Sequence, residues 1–486
     1  MKKFASTFDS LRTFECPEWF RDVKFGIWSH WGPQSVPMFG DWYARRMYIQ
    51  GSAQNLYHTR HYGHPSKFGY KDICALWKAE KFDPEELMEL YYKAGARYFA
   101  TQATHHDNFF NYDSKVNRFN SVKIGPGKDI CALWQKAAKK YDMYFGLTEH
   151  LSASFSWWNT NKYHDNFGAY KDVPYDGSDP EYSDFYYNNH EHATDNGMDY
   201  LPVWHTANKS HHDYWLRSVK EMIDTFKPDF LYSDGVIPFG PQDSDEPINE
   251  ELYKAGLEAI SHLYNTSIAV NGQNNSVYFQ KDRRPEVYNV GVLDIEKSQL
   301  DNIADKPWHT DTCIGNWFYD VWHSYKEPGH VIEMLVDIIS KNGTMLLNIL
   351  QKPDGTIDDE ALFILKELEK WFNICSEAVY NTRPWRVANE GDTKVLIDGF
   401  TENRAAWTAS DFRFVKKGNI VYAFILKASE DRRCVIKSFL PDEHIKSVRI
   451  LGGSELEFAQ NIGILAVKLP VDLPTYYTNC IAIELG

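Results

Sequence analysis

From about residue 20 to 370, short apolar runs alternate with amphipathic stretches of helical period. The runs "VKFGIWSH" (23–30), "ARYFATQAT" (96–104), "MYFGLTEH" (143–150), "PDFLYSD" (228–234), "TSIAVNG" (266–272), "PWHTDT" (307–312) and "TMLLNIL" (344–350) predict buried strands. Between them "DPEELMELYYKAGA" (83–96), "KDICALWQKAAKKY" (128–141), "HDYWLRSVKEMIDTF" (212–226), "ELYKAGLEAISHLY" (251–264) and "HVIEMLVDIISKNG" (330–343) predict helices, the first capped by Asp83 ahead of Pro84. Strand then helix, repeated about seven times, implies a parallel sheet. At this length that is an α/β fold closed as a (β/α)8-like, TIM-type barrel.

After "EAVYNTRPW" (377–385) the pattern changes to "VLIDGF", "NIVYAFILKA", "CVIKSFL", "SVRILGG", "IGILAVKLP" and "CIAIELG", short runs without helical period and parted by Gly, Pro, Asn and Asp. These predict an antiparallel β-sandwich, so a barrel over 1–380 and a sandwich over 381–486 are expected. The stretch 152–211 fits neither pattern. Long, polar and aromatic, it is expected to overhang the barrel mouth. The heptapeptide "KDICALW" occurs at 71–77 and at 128–134 with different flanks and no third copy, so it is no repeat architecture.

Composition changes this picture little. At 486 residues the chain can bury a large core, and 43% apolar with 24% charged residues are globular values. The aromatic share of 15%, with 16 Trp and 30 Tyr, reads either as a Trp-rich core or as faces on which sugars stack. A net charge of −15 without a Lys/Arg-rich run argues against nucleic acid and anionic membrane as partners. Seven scattered cysteines without a C-x-x-C pair indicate neither disulfides nor a thiolate metal site. The start "MKKFASTFDSLRTF" has no apolar core of a signal peptide, and no run could span a membrane. The chain therefore reads as cytoplasmic, although a secreted chain trimmed of its signal would read the same.

The strand ends carry His30, His105 and His106 with Asp107, Glu149 with His150, and Asp234. In a barrel these ends share one pocket, so groups about 200 residues apart converge. Singly, His30 reads equally as a core histidine and Asp234-Gly235 as the start of a turn. His105-His106 is more pointed, because neighbouring strand residues face opposite sides. The set suits an acetal: retaining glycoside hydrolysis needs an ionised carboxylate as nucleophile and a protonated carboxyl about 5 Å away, while His and Trp hold hydroxyls and stack.

The segments "EWFRDVKFGIWSHWGPQSVP" (18–37), "DWYARRMY" (41–48), "KFDPEELMELYYKAGARYFATQATHHDNFFNYDSKVNRFNSV" (81–122), "KPDFLYSDG" (227–235) and "LVDIISKNGTMLLNILQKPDGTI" (335–357), followed by "EAVYNTRPW", resemble the family 29 glycoside hydrolases, the α-L-fucosidases. The resemblance runs in order over roughly 15–390 and implies a (β/α)8-like barrel with a C-terminal β-sandwich. It also implies retaining, exo-acting release of terminal α-L-fucose from a glycan without a cofactor or metal. It places the nucleophile on Asp234, and fucose contacts on His30, Trp42, His105 and His106. Trp317 in "IGNWFY" matches an aromatic facing the C6 methyl. The acid/base position varies within the family; it is assigned to Glu296 in "VGVLDIEKSQ", with Glu286 and Glu149 as rivals. Family habit and the aromatic surplus suggest a homo-oligomer.

Two departures bear on the sugar. "TEH" puts Glu149 and His150 where a tyrosine is common, with Glu149 taken as a substrate contact, and "NGQ" (271–273) stands where an Asn-Asp-Arg is common. A carboxylate accepts hydrogen bonds where a phenol or guanidinium mainly donates, so an α-L-galactosidase or other related-sugar enzyme is the alternative. A non-catalytic carbohydrate-binding protein is a second. A metal-dependent barrel hydrolase, suggested by 18 histidines including "HEH" (190–192) and "HH" (211–212), is a third, but the first strand lacks a His-x-His pair.

Overall fold

The computed structural model describes residues 3–189, 199, 201, 203–241, 248–322, 324–395, 400 and 402–486, with the backbone alone at Pro285 and Tyr288. Eight parallel strands close a barrel in chain order: β1 Phe25–Ser29, β2 Tyr98–Gln102, β3 Tyr144–Glu149, β4 Phe230–Ser233, β5 Val277–Gln280, β6 Val292–Asp294, β7 Trp308–Cys313 and β8 Gly343–Asn348. β1 pairs with both β2 and β8, which completes the ring. Six of the seven expected strands are present. The exception is "TSIAVNG", which is the last part of the helix Lys254–Asn271, ended by Gly272 at φ 78. Strand β5 follows it as the four-residue "VYFQ", and β6 is only three residues long.

Side chains alternate between barrel interior and helix layer, so every second residue faces inward. The lower interior shows how the ring is filled. Gly26 and Gly146 stand where a Cβ would meet the rings of Tyr98 and Phe230 at 2.6 and 2.1 Å, leaving room for those rings. Phe279 stacks on His309 at 4.1 Å above them. Outside, the helices Pro84–Lys93, Ile130–Lys140, Lys209–Phe226 and Pro328–Ser340 cover the strands. Asp83 caps the first by accepting from the Glu85 and Glu86 amides. The first "KDICALW" lies in the helix Tyr70–Leu76 and the second leads into Ile130–Lys140, two unrelated settings.

Beyond the helix Asp359–Cys375, a five-stranded antiparallel sheet packs on a three-stranded one, with Phe412, Phe414, Ile481 and Ile483 from the first meeting Cys434, Ile436, Leu465 and Val467 from the second. This is a β-sandwich. Its first strand is Arg383–Glu390. It is tied to the barrel by Arg404, which bonds Glu333 at 2.9 and 2.7 Å and Glu327 at 2.6 Å, and by the buried pair Arg413–Asp337. Among the described residues no helix is long and apolar enough to cross a membrane.

Candidate active site

At the C-terminal mouth of the barrel lies a cavity of about 280 Å³ lined by residues that include Trp28, His30, Asp41, Trp42, His105, His106, His150, Trp204, Tyr232, Asp234, Glu296, Asp311, Trp317 and Phe400. That is at the small end for ligand sites, sized for a single ring rather than a chain of sugars. The inward parity of the strands delivers most of these groups. Trp28 and His30 continue β1, His150 continues β3, Tyr232 and Asp234 continue β4, and Asp311 lies on β7.

Asp234 sits among cations and donors. His106 Nε2 lies 3.4 Å from its Oδ2, Lys281 Nζ lies 3.2 Å from its Oδ1, and the Tyr232 hydroxyl donates to Oδ1 at 3.1 Å. Burial by itself would raise this carboxyl, but the Lys281 ammonium and the His106 hydrogen bond outweigh burial and hold it well below the usual carboxylate range. Glu296 responds in the opposite direction. Burial, opposed by Lys281 and reinforced by the Asp311 and Asp234 carboxylates, pushes it up to about 7. Lys281 Nζ contacts Glu296 Oε2 as well as Asp234. Sharing one ammonium keeps Asp234 Oδ1 and Glu296 Oε2 no further apart than two hydrogen-bond lengths, short of the separation of about 6.5–9.5 Å that inverting glycosidases use.

The histidines present a defined set of donors and acceptors. Gln34 accepts from the Ala44 amide through Oε1 and donates through Nε2 to His105 Nδ1 at 2.8 Å, so the proton of His105 is on Nε2, which faces Asp41 Oδ1 at 3.9 Å. His106 Nδ1 donates to the His150 carbonyl at 2.8 Å. His150 Nδ1 donates to the Thr104 carbonyl at 3.3 Å, leaving its Nε2 as an acceptor. His30 Nδ1 is buried without a hydrogen-bond partner among the described residues. Burial drives His30 and His105 well below the usual imidazole range and His150 down to about 3, so these rings are neutral. Nitrogens of His30, His105 and His150 lie within 4.8 Å of one another, near enough to suggest a cation. The Gln34 bond leaves His105 with an N–H rather than a lone pair facing inward, a pattern for hydroxyls rather than for a metal.

The remaining wall is aromatic. Trp317 lies 5.3 Å from Trp28 and 5.6 Å from His30, ring to ring. Trp42 stacks beside Trp204 at 6.4 Å and is held at φ 60, a left-handed backbone that a tryptophan adopts only under surrounding constraint. Trp204 shows that the 152–211 segment does reach the mouth, and Trp157 from the same segment backs His106 at 5.7 Å.

Two expectations are corrected. Glu149 does not line the cavity: it is paired in register with Ser233 and faces the helix layer, where its Oε2 accepts from Leu151 N at 2.9 Å and Trp215 Nε1 at 3.0 Å. Parity gives the pocket to His150 instead. "NGQ" closes a helix before β5 begins and so lies away from the mouth, whereas the cation that strand five supplies is Lys281. Glu286 is exposed and outside the cavity. His211 and His212 bond backbone carbonyls of Leu151 and Thr206, and "HEH" (190–192) lies outside the described residues. The sequence reading missed Asp41, Trp204, Tyr232, Lys281, Asp311 and Phe400. Inward parity from Asp234 after β4 would have found Tyr232, and the same alternation from the interior His309 on β7 would have found Asp311; nothing local marks Phe400, which comes from the sandwich side of the chain.

The family model "Alpha-L-fucosidase" matches residues 1–377. Among curated relatives, the rat tissue alpha-L-fucosidase is 28% identical over 447 residues, covering 88% of this chain and 80% of the relative. The Dictyostelium discoideum alpha-L-fucosidase is 24% identical over 406 residues, covering 80% and 76%. Among solved structures, the Thermotoga maritima α-fucosidase in complex with fucose superposes with a TM-score of 0.74 at 25% identity, covering 99% of this chain and all of that one. A trapped covalent intermediate of a Bacteroides thetaiotaomicron α-L-fucosidase superposes at 0.65 and 15% identity over 100% and 98%, a likeness of fold. With the matched model spanning most of its length and the barrel, mouth and paired carboxyls in place, this chain belongs to the α-L-fucosidase family, the family 29 glycoside hydrolases.

Proposed function

We propose that Asp234 and Glu296 carry the double displacement by which this α-L-fucosidase releases terminal α-L-fucose, with no cofactor. Asp234 Oδ attacks C1 from the face opposite the leaving group, the C1–O bond breaks, and the Glu296 proton passes to the departing oxygen. Water then attacks C1 of the ester, Glu296 takes its proton, and Asp234 leaves as a carboxylate. The observation that carries this reading is the divergence of the two carboxyls, one held ionised and the other raised to about 7, on either side of one ammonium. His30, Trp42, His105, His106 and His150 supply hydroxyl contacts, and Trp317 is the face for the C6 methyl, a contact worth about 1 kcal/mol.

Hydrolysis of 4-nitrophenyl α-L-fucoside and α-L-galactoside, followed across pH, tests it. Fucoside is expected to be the better substrate. A better galactoside would move the assignment to the related sugar, and release from neither would leave a binding protein. Activity requires Asp234 ionised, which holds above its depressed pKa, and Glu296 protonated, which holds below its raised one. kcat/KM should therefore stay high on the acid side and fall as pH rises through about 7. A profile that instead rises through neutral pH would refute the assignment of Glu296 as the acid.

A further inference from the structure

Among the described residues Lys281 alone forms ion pairs with both reacting carboxyls, and its surroundings are unusual for a lysine. Directly after β5, with 15% of its side chain exposed, it is bonded to Glu296 and lies 3.2 Å from Asp234, 3.8 Å from Asp311 and 3.9 Å from Asp294, with its ammonium 5.2 Å from the Tyr232 ring centre. Its amide donates to the Gly235 carbonyl at 3.0 Å, which fixes the strand-five end against the turn that bears Asp234.

The two steps of the reaction move one negative charge between two sites. Before attack, Asp234 is the anion and Glu296 is neutral. In the glycosyl ester Asp234 is neutral and Glu296 is the anion, because its proton has left with the aglycone. Hydrolysis returns the charge to Asp234 and the proton to Glu296. We propose that Lys281 is a positioning residue that serves as the fixed counter-cation for this migrating charge, in contact with Asp234 and Glu296 together throughout the cycle and without itself changing protonation state. A cation set between two sites in a water-poor pocket stabilises the charge at either end and along the way between them, with no rearrangement when the charge moves. The inference rests on the roles given to Asp234 and Glu296.

The groups that face this ammonium are Asp234 and Tyr232 from β4, Asp294 and Glu296 from β6, and Asp311 from β7. Beyond them, His309 bonds Asp294 at 2.5 Å, and His106 and His150 stand on the far side of Asp234. Of these contributors to Asp234 and Glu296, Lys281 alone lowers both. Its removal therefore raises both, and the whole pH window should shift in one direction.

The test is the pH dependence of kcat/KM and kcat for 4-nitrophenyl α-L-fucoside in the wild type, Lys281→Met and Lys281→Arg. Lys281→Met keeps the length of the chain and removes the charge. It is expected to lower kcat by about 10²-fold and to move the alkaline limb upward by at least about one pH unit, while an acid limb rises into the measurable range. Lys281→Arg is expected to keep the wild-type limbs and recover part of the rate, and Lys281→Gln, which also removes the charge, is expected to show the moved limbs and serves as the readout if the methionine variant does not fold. A purely structural lysine would give a lower profile with unmoved limbs in both variants, and that result overturns the proposal. So does a methionine variant of normal rate, or an arginine variant whose limbs move. A wild type without any fall above neutral pH would instead strike the Glu296 assignment itself.

Discussion

Replacing Asp234 with Ala or Gly is expected to lower kcat/KM for an α-L-fucoside by at least about 10³-fold without unfolding the protein. The loss is large because, among the described residues, no other carboxyl of the cavity is in contact with both His106 and Lys281. His106 and Lys281 converge on this one carboxylate and keep its charge on the oxygen that would bond C1. The fold should survive because Lys281 still has Glu296, Asp294 and Asp311 around it, so no buried cation is left alone. The variant also leaves a small space next to C1. Azide should occupy it, restore part of the rate and yield the β-fucosyl azide, the product of attack from the nucleophile's own face. A variant that retains most of its activity would show that the nucleophile lies elsewhere.

Glu296→Ala is expected to separate substrates by their leaving groups. An alcohol leaving as alkoxide needs a proton in the transition state, and a positioned acid supplies about 10²–10⁴-fold there. 4-Nitrophenolate, the anion of a much stronger acid, draws on that proton only in part. Glycosylation of the variant by the nitrophenyl fucoside should therefore be much less affected than that by a fucosylated disaccharide, and the alkaline fall near pH 7 should disappear with the carboxyl that causes it. Steady-state kinetics on both substrates across pH checks this. Equal losses on both would return the acid role to another carboxyl of the mouth, of which Asp41, raised by burial to about 6, and Asp311 are the nearest in kind.

The barrel was legible in the sequence wherever a strand was long enough to show its apolar run. β1 to β4, β7 and β8 each have four to six residues ending in chemistry-bearing side chains. β6, of three residues, carries too little pattern, and β5, though as long as β4, lies just after the apolar, β-branched tail of a helix at 266–272 that imitates a strand better than it does. That one slip had a chemical cost. It put the fifth strand's end at "NGQ" and hid Lys281, so a site with a cation between its carboxyls read as a site that had lost one. Glu149 was misplaced for a different reason. A strand-end carboxylate is conspicuous, but parity relative to Asp234 decides its side, and it falls with Ser233 on the helix side. Phe400 and the Glu402 contacts with Thr312 and Lys326 come from the far side of the domain boundary, and no local pattern reports where a second domain will lay its chain.

The most direct measurement is to incubate the enzyme with 2-deoxy-2-fluoro-α-L-fucosyl fluoride, digest it and locate the adduct by mass spectrometry. The fluorine at C2 slows both steps and the fluoride departs without help, so the glycosyl ester should accumulate. The mass of one fluorofucosyl group is expected on the peptide that spans Asp234, and fragmentation should place it on that side chain. A label on any other carboxylate, or turnover of the reagent with no covalent species at all, would contradict the assignment of Asp234 as the residue that bonds the sugar.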